Sequence, residues 1–188
     1  MKSLSFANKV TIVRILMVPF FIAAALYYSP EREHLRLVTL GIFLLAVVSD
    51  VIDGYIARTQ KQKTKAGAIL DPLADKILLI SAFICLYKIR NLLGGVQLPL
   101  WLVVAVISRD IILLLGSGII HIVHGRLDIA PSKWGKAATF FQVCCVFGVL
   151  LQWWVSPYFW FGAIILTVVS GVGYILDGIK VLNAPVNK

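Results

Sequence analysis

Cysteine and histidine are scarce: Cys85, Cys144 and Cys145, and three histidines, in 188 residues. The cysteines show neither a metal-ligand spacing nor a paired framework. That excludes a disulfide scaffold and a zinc-ribbon type of centre, and leaves apolar packing as their role. Acidic residues number only nine. Internal repeats and low-complexity tracts are missing, so neither a solenoid nor a biased linker is expected. The first apolar run follows Lys9 and Arg14 and ends in no small-residue cleavage motif, so no cleavable signal peptide is expected. What fills the chain is apolar: 60% hydrophobic against 14% charged, with a mean hydropathy of +0.90. A soluble domain is nearer about 45–50% apolar. The composition therefore predicts an all-α polytopic membrane protein, with residues 1–188 as a single domain.

Six apolar runs predict six transmembrane helices: Val10–Tyr28, Leu35–Ala57, Ala68–Tyr87, Leu98–His124, Ala137–Val155 and Phe159–Leu182. Each is long enough for a hydrocarbon core, which takes about 20 helical residues. Ser29-Pro30, Gly94-Gly95, Pro131-Ser132 and Ser156-Pro157 punctuate the breaks. Before them, Met1 to Val10 mixes Leu4 and Phe6 with Lys2 and Lys9, the pattern of a short juxtamembrane segment on the membrane surface.

Six spans put both termini on one side. That side holds Lys2, Lys9, Arg14, Arg58, Lys61, Lys63, Lys65, Arg126, Lys133, Lys136, Lys180 and Lys188. The other side holds Arg32, Arg36, Lys88 and Arg90, and Lys76 and Arg109 fall inside spans. The asymmetry predicts cytosolic termini. Trp153, Trp154, Tyr158 and Trp160 suit the far interface. The net charge of +9 then belongs to inner loops facing anionic membrane lipid, and no nucleic-acid partner is expected.

Four of the nine acidic residues crowd one stretch, Asp50-x-x-Asp53-Gly54-x-x-Ala57-Arg58, eight residues, then Gly67-x-x-x-Asp71-x-x-x-Asp75. On span two, Asp50, Asp53, Gly54, Ala57 and Arg58 share one helical face; on span three, Gly67, Asp71 and Asp75 do the same. Asp50 lies eight residues before Arg58, and Asp75 eight after Gly67, so both sit roughly 12 Å below the inner surface at about 1.5 Å per residue. Intramembrane carboxylates are a functional feature by default, and several together repel unless a cation lies among them. Oxygen-only donors point to a hard metal such as Mg²⁺, Mn²⁺ or Ca²⁺. Two such ions would clamp a diphosphate for an in-line displacement, and one carboxylate could take a hydroxyl proton.

This signature resembles that of the CDP-alcohol phosphotransferase family at every defining position. Asn8, Thr11 and Arg14 are similar to the family's N-terminal Asn/Thr/Arg pattern. The resemblance implies transfer of a phosphatidyl or related group from a CDP-alcohol to an acceptor hydroxyl, with release of CMP. Residue by residue it implies Asp50, Asp53, Asp71 and Asp75 as ligands of two Mg²⁺ or Mn²⁺ ions, with Asp75 also the general base. It implies a pocket for the CDP moiety lined by Asn8, Thr11, Arg14, Gly54, Ala57, Arg58 and Gly67. It further implies CDP-diacylglycerol as donor, a homodimer, and a bacterial inner membrane with the active site on the cytosolic side.

The acceptor is less clearly written. A phosphorylated alcohol needs cations, and Arg109, Lys133 and Lys136 are the candidates, although Arg109 can instead form a structural ion pair with Asp110. Members that use glycerol 3-phosphate typically carry further cations where this chain has Ser117 and Ala138. The wording Leu70-Asp71-Pro72-Leu73-Ala74-Asp75-Lys76-Ile77-Leu78 is similar to members that use phosphatidylglycerol. Phosphatidylglycerol, giving cardiolipin, is therefore the preferred acceptor and glycerol 3-phosphate the alternative, ahead of inositol-type or serine acceptors. Among other classes, a Mg²⁺-dependent membrane prenyltransferase would show a second aspartate-rich cluster, and later spans offer only Asp110 and Asp177. A cation transporter would need acidic residues in the outer halves of spans five and six, where there are none. The remaining polar residues read as local: His121 and His124 as interfacial, Asp177 with Lys180 as an ion pair, Gln142 and Gln152 as interhelical hydrogen bonders.

Overall fold

A computed structural model describes residues 6–59, 65–124 and 133–183. Its described residues form six α-helices joined by turns and one short 3₁₀ segment: α1 Phe6–Leu26, the 3₁₀ turn Pro30–Arg32, α2 Glu33–Thr59, α3 Lys65–Lys88, α4 Leu100–His124, α5 Lys133–Leu150 and α6 Ser156–Asn183. Each predicted apolar run thus lies on its own helix. Pro30 and Pro157 stand at helix starts, where a missing N–H costs nothing. Pro19 lies inside α1, a placement that helices of membrane proteins tolerate.

Two expectations need correction. The stretch before Val10 is not a separate surface helix: from Phe6 onward it is the first turn of α1, because Phe6-Ala7-Asn8-Lys9 contains no breaker. Met1–Ser5 lie outside the described residues. Span five runs earlier than its apolar content suggested. It starts at Lys133 and stops at Leu150, because Gln152 takes φ 52°, the left-handed region that ends a helix.

Two stretches of the described residues, Pro30–Ile52 and Ser156–Leu176, are long and apolar enough to cross a membrane, and Val10–Leu26 is a shorter apolar helix. The exteriors of these helices are apolar: Leu44, Leu45, Val48 and Val51 on α2, and Ile165, Val168, Val169 and Val172 on α6, are exposed. Apolar surface on this scale marks contact with something other than water. Trp153, Trp154 and Tyr158 are also exposed, as an interfacial belt requires.

The chain divides into two compact units. The first comprises residues 1–98 and the short segment Val149–Trp153. Within it α1 packs on both α2 and α3. The buried face of α1 runs Thr11, Arg14, Val18, Phe21 and Ala25, at three- and four-residue steps. Phe21 meets Phe43 of α2 with ring centroids 5.9 Å apart. Two turns away on each helix, Arg14 meets Asp50. Advancing along α1 while retreating along α2 makes the two helices antiparallel. α3 contributes Ala74, Leu78, Leu79, Ala82, Phe83 and Leu86 to the core. Small residues such as Ala25, Ala46, Ala74 and Ala82, all fully buried, let helices approach closely, which is how packing replaces the hydrophobic drive in lipid.

The segment Val149–Trp153 is fastened to this unit by hydrogen bonds. Arg36 Nη1 donates to the Leu150 carbonyl at 2.7 Å. The Gln152 amide accepts from the Val96 N–H at 2.9 Å and donates to the Val149 carbonyl at 2.8 Å. A Cβ on Gly95 would press on the Gln152 amide and force it to shift. Gln152 is therefore not an interhelical bonder of span five but the clasp of a turn.

The second unit comprises residues 99–148 and 154–188. α4 packs on α6, and Tyr174 donates to the Leu113 carbonyl at 3.2 Å. Gln142 on α5 donates to Thr167 Oγ1 on α6 at 3.4 Å, the interhelical bond expected of it. Cys85 and Cys145 are buried and Cys144 half-buried, all free, in keeping with a packing role.

Candidate active site

The signature falls on two helices of the first unit. α2 carries Asp50, Asp53, Gly54, Ala57 and Arg58; α3 carries Gly67, Asp71 and Asp75. Their i, i+3, i+4 and i+4, i+8 spacings therefore are helical faces, as the sequence required. The side chains of Asp53, Gly54, Ala57, Arg58, Gly67 and Asp71 lie outside the described residues, as does that of Asn8 on α1. Those of Ser117, His121, His124, Asp177 and Lys180 do also.

The described part of the site is built around Asp50. Arg14 Nη1 lies 2.6 Å from Asp50 Oδ1. The arginine side chain is 1% exposed and the aspartate side chain 46% exposed. A guanidinium buried this completely is costly unless a carboxylate answers it, and Asp50 does so. One turn earlier, Thr11 is also buried, on the same face of α1. α1 thus presents a polar end, Thr11 and Arg14, to the helix that carries the first signature aspartate, and an apolar remainder to the core. Asp75 is half-buried on α3 beside the half-buried Lys76.

The N-terminal pattern expects Arg14 in the CDP pocket; in the structure it meets Asp50. The signal was available. Arg14 has no acidic residue within four positions on its own helix, so its charge must be met from another element, and Asp50 heads the acidic stretch.

The donor chemistry fits a hard divalent cation. Asp50 presents a carboxylate oxygen, and the signature adds only carboxylates, with no thiolate or imidazole on either face. Among the described residues no three acidic, histidine or cysteine side chains gather as a metal centre; of the four signature carboxylates, only those of Asp50 and Asp75 are described.

The three acceptor candidates lie in the second unit and differ in what they can reach. Arg109 on α4 is buried, 6% exposed, with Nη1 2.7 Å from Asp110 Oδ1 and Nη2 donating to Ser170 Oγ at 2.7 Å. Asp110 is 0% exposed. This is the structural ion pair, with a serine partner on α6 that the sequence did not reveal. Lys133 and Lys136, in the first turn of α5, are exposed. Ala138 is fully buried, so its small apolar side chain serves packing and carries no information about charge in an open pocket.

A family model described as CDP-alcohol phosphatidyltransferase matches residues 4–172. The chain is 33% identical over 181 residues to a Mycobacterium tuberculosis protein named "Probable phosphatidylglycerophosphate synthase", covering 93% of this chain and 81% of the relative. It is 34% identical over 173 residues to the Haemophilus influenzae CDP-diacylglycerol–glycerol-3-phosphate 3-phosphatidyltransferase, covering 92% and 89%. The Bacillus subtilis protein of the same name is 30% identical over 155 residues, covering 77% and 76%. These names speak for glycerol 3-phosphate and leave the preference for cardiolipin synthesis unsupported.

Proposed function

The chain belongs to the CDP-alcohol phosphatidyltransferase family and is an enzyme of that class; from that premise we propose that it transfers the phosphatidyl group of CDP-diacylglycerol to glycerol 3-phosphate. The observation that carries the choice of acceptor is the similarity, along more than nine-tenths of the chain, to two proteins named for the formation of phosphatidylglycerophosphate.

The acceptor's hydroxyl oxygen forms a new bond to the phosphatidyl phosphorus. The P–O bond to CMP breaks, and CMP leaves with the electron pair. Asp75 takes the hydroxyl proton. Asp50, Asp53, Asp71 and Asp75 hold two divalent cations, Mg²⁺ or Mn²⁺, which when bound neutralise the diphosphate and the charge that develops on it. The small residues Gly54, Ala57 and Gly67, with Asn8 and Arg58, line the pocket of the CDP moiety, while Thr11, as buried as Arg14, backs it from α1. Lys133 and Lys136 contact the acceptor phosphate. Arg109 does not, because its guanidinium is already committed to Asp110 and Ser170.

The exposed apolar helix faces support an integral membrane protein of six spans, with both termini and the site toward the cytosol of a bacterial inner membrane. The whole chain is taken as one catalytic domain, since the family match runs through both compact units. A homodimer is proposed from family resemblance.

The test is product analysis. Purified protein is supplied with CDP-diacylglycerol and either glycerol 3-phosphate or phosphatidylglycerol, and CMP and lipid products are followed by mass spectrometry. Phosphatidylglycerophosphate is expected from the first. Cardiolipin from the second, with no reaction of the first, overturns the proposal.

A further inference from the structure

Arg14 has a role that its place in a nucleotide-pocket pattern does not suggest. With 1% of its side chain exposed, it is too enclosed for a substrate phosphate to reach. Its nitrogen instead lies 2.6 Å from one oxygen of Asp50, while nearly half of the Asp50 side chain stays open. The two residues come from different helices, and α1 packs on α3 as well as α2. The guanidinium therefore ties the aspartate to the element at the centre of the unit.

Resting on the phosphatidyl-transfer function above, we propose that Arg14 is a positioning residue: it grips one carboxylate oxygen of Asp50 so that the other is held ready for a divalent cation. A carboxylate on a helix has two rotatable bonds, and each bound cation must otherwise stop their motion. An ion pair made from a buried, rigid neighbour stops it beforehand. The hold is one of charge and enclosure: Nη1 stands 2.6 Å from Oδ1 without the alignment of a hydrogen bond. Partners that orient metal ligands typically contribute about 10- to 100-fold in metal affinity or activity.

The proposal makes metal affinity, not donor affinity, the property that Arg14 controls. The experiment uses the full chain in lipid nanodiscs, without nucleotide, and measures Mn²⁺ binding by electron paramagnetic resonance. Arg14→Gln, which removes the charge, should raise the Mn²⁺ dissociation constant about tenfold. Below saturating Mn²⁺ turnover should fall, and it should recover as Mn²⁺ is raised, while KM for CDP-diacylglycerol stays near the wild-type value. In an Asp50→Asn background, Arg14→Gln should leave the Mn²⁺ constant unchanged, since no carboxylate remains there to be held.

Unchanged Mn²⁺ affinity with a raised KM would make Arg14 a donor contact and overturn the proposal. So would tighter Mn²⁺ binding, the mark of a cation that merely opposes the metal, and so would an equal loss in the Asp50→Asn background, the mark of general packing. Wild-type protein that binds Mn²⁺ but releases no CMP from CDP-diacylglycerol would sink the transfer function alone, and the titration would still decide the role of Arg14.

Discussion

Replacing Arg109 with alanine should damage stability rather than acceptor binding. The side chain is buried, and both of its terminal nitrogens are engaged at 2.7 Å, one by a wholly buried Asp110 and one by Ser170 on another helix. Removing one member of a buried ion pair costs about 3–5 kcal/mol, because the other charge loses its counterpart where water cannot replace it. A protein of this size loses about 2–4 °C of Tm per kcal/mol, so a fall of roughly 10 °C is expected. The assay is thermal unfolding in nanodiscs, followed by intrinsic fluorescence, beside KM for glycerol 3-phosphate on the fraction that remains folded. The double variant Arg109→Met/Asp110→Leu should recover most of the loss, because an apolar pair of similar volume needs no counter-charge. A Tm change below about 2 °C, together with a large rise in KM, would show that the guanidinium serves the acceptor and refute the reasoning.

Three further outcomes are expected. Asp50→Asn, Asp53→Asn, Asp71→Asn and Asp75→Asn should each lower CMP release by at least about a hundredfold, and near-normal turnover in any two would remove the carboxylate cluster from the chemistry. Exhaustive chelation should abolish activity and Mg²⁺ or Mn²⁺ should restore it; full activity in metal-free protein, checked by elemental analysis, would contradict an oxygen-ligand metal site. Cysteines placed beside Lys63 and Lys133 should react with an impermeant thiol reagent only from the cytosolic face, and one beside Tyr158 only from the opposite face, whereas the reverse pattern would invert the topology.

The helices were legible because apolar runs of membrane length need no tertiary context, and Pro and Gly mark their ends. What the sequence hid lay mostly where a partner distant in the chain decides the outcome. The end of α5 is an example. The apolar run continues through Leu151 to Val155, but the helix stops at Leu150 because Gln152 finds Val96, 56 residues earlier, and takes a left-handed φ to reach it. The carboxylate faces were legible from helical spacing alone, and both fall on helices. The grip of Arg14 on Asp50 was not, since periodicity orders residues within a helix and says nothing of which helices become neighbours. Ser170 was invisible for the same reason, a lone hydroxyl in an apolar run. The preference for phosphatidylglycerol lost a support at Ala138, where burial explains the uncharged residue type.

The clasp around Val149–Trp153 bears on how the protein is made. Its residues complete a unit whose other members end at Leu98, so about 50 residues must be synthesised between the two. At about 5–20 residues per second, the first three helices wait roughly 3–10 s in the bilayer before Arg36 and Val96 meet Leu150 and Gln152. During that interval the nascent chain carries its signature aspartates on an unfinished scaffold. Completion of the first unit therefore waits for translation of the fifth helix, and a ribosome stalled after α4 would leave a fragment with every signature residue and no clasp to close it.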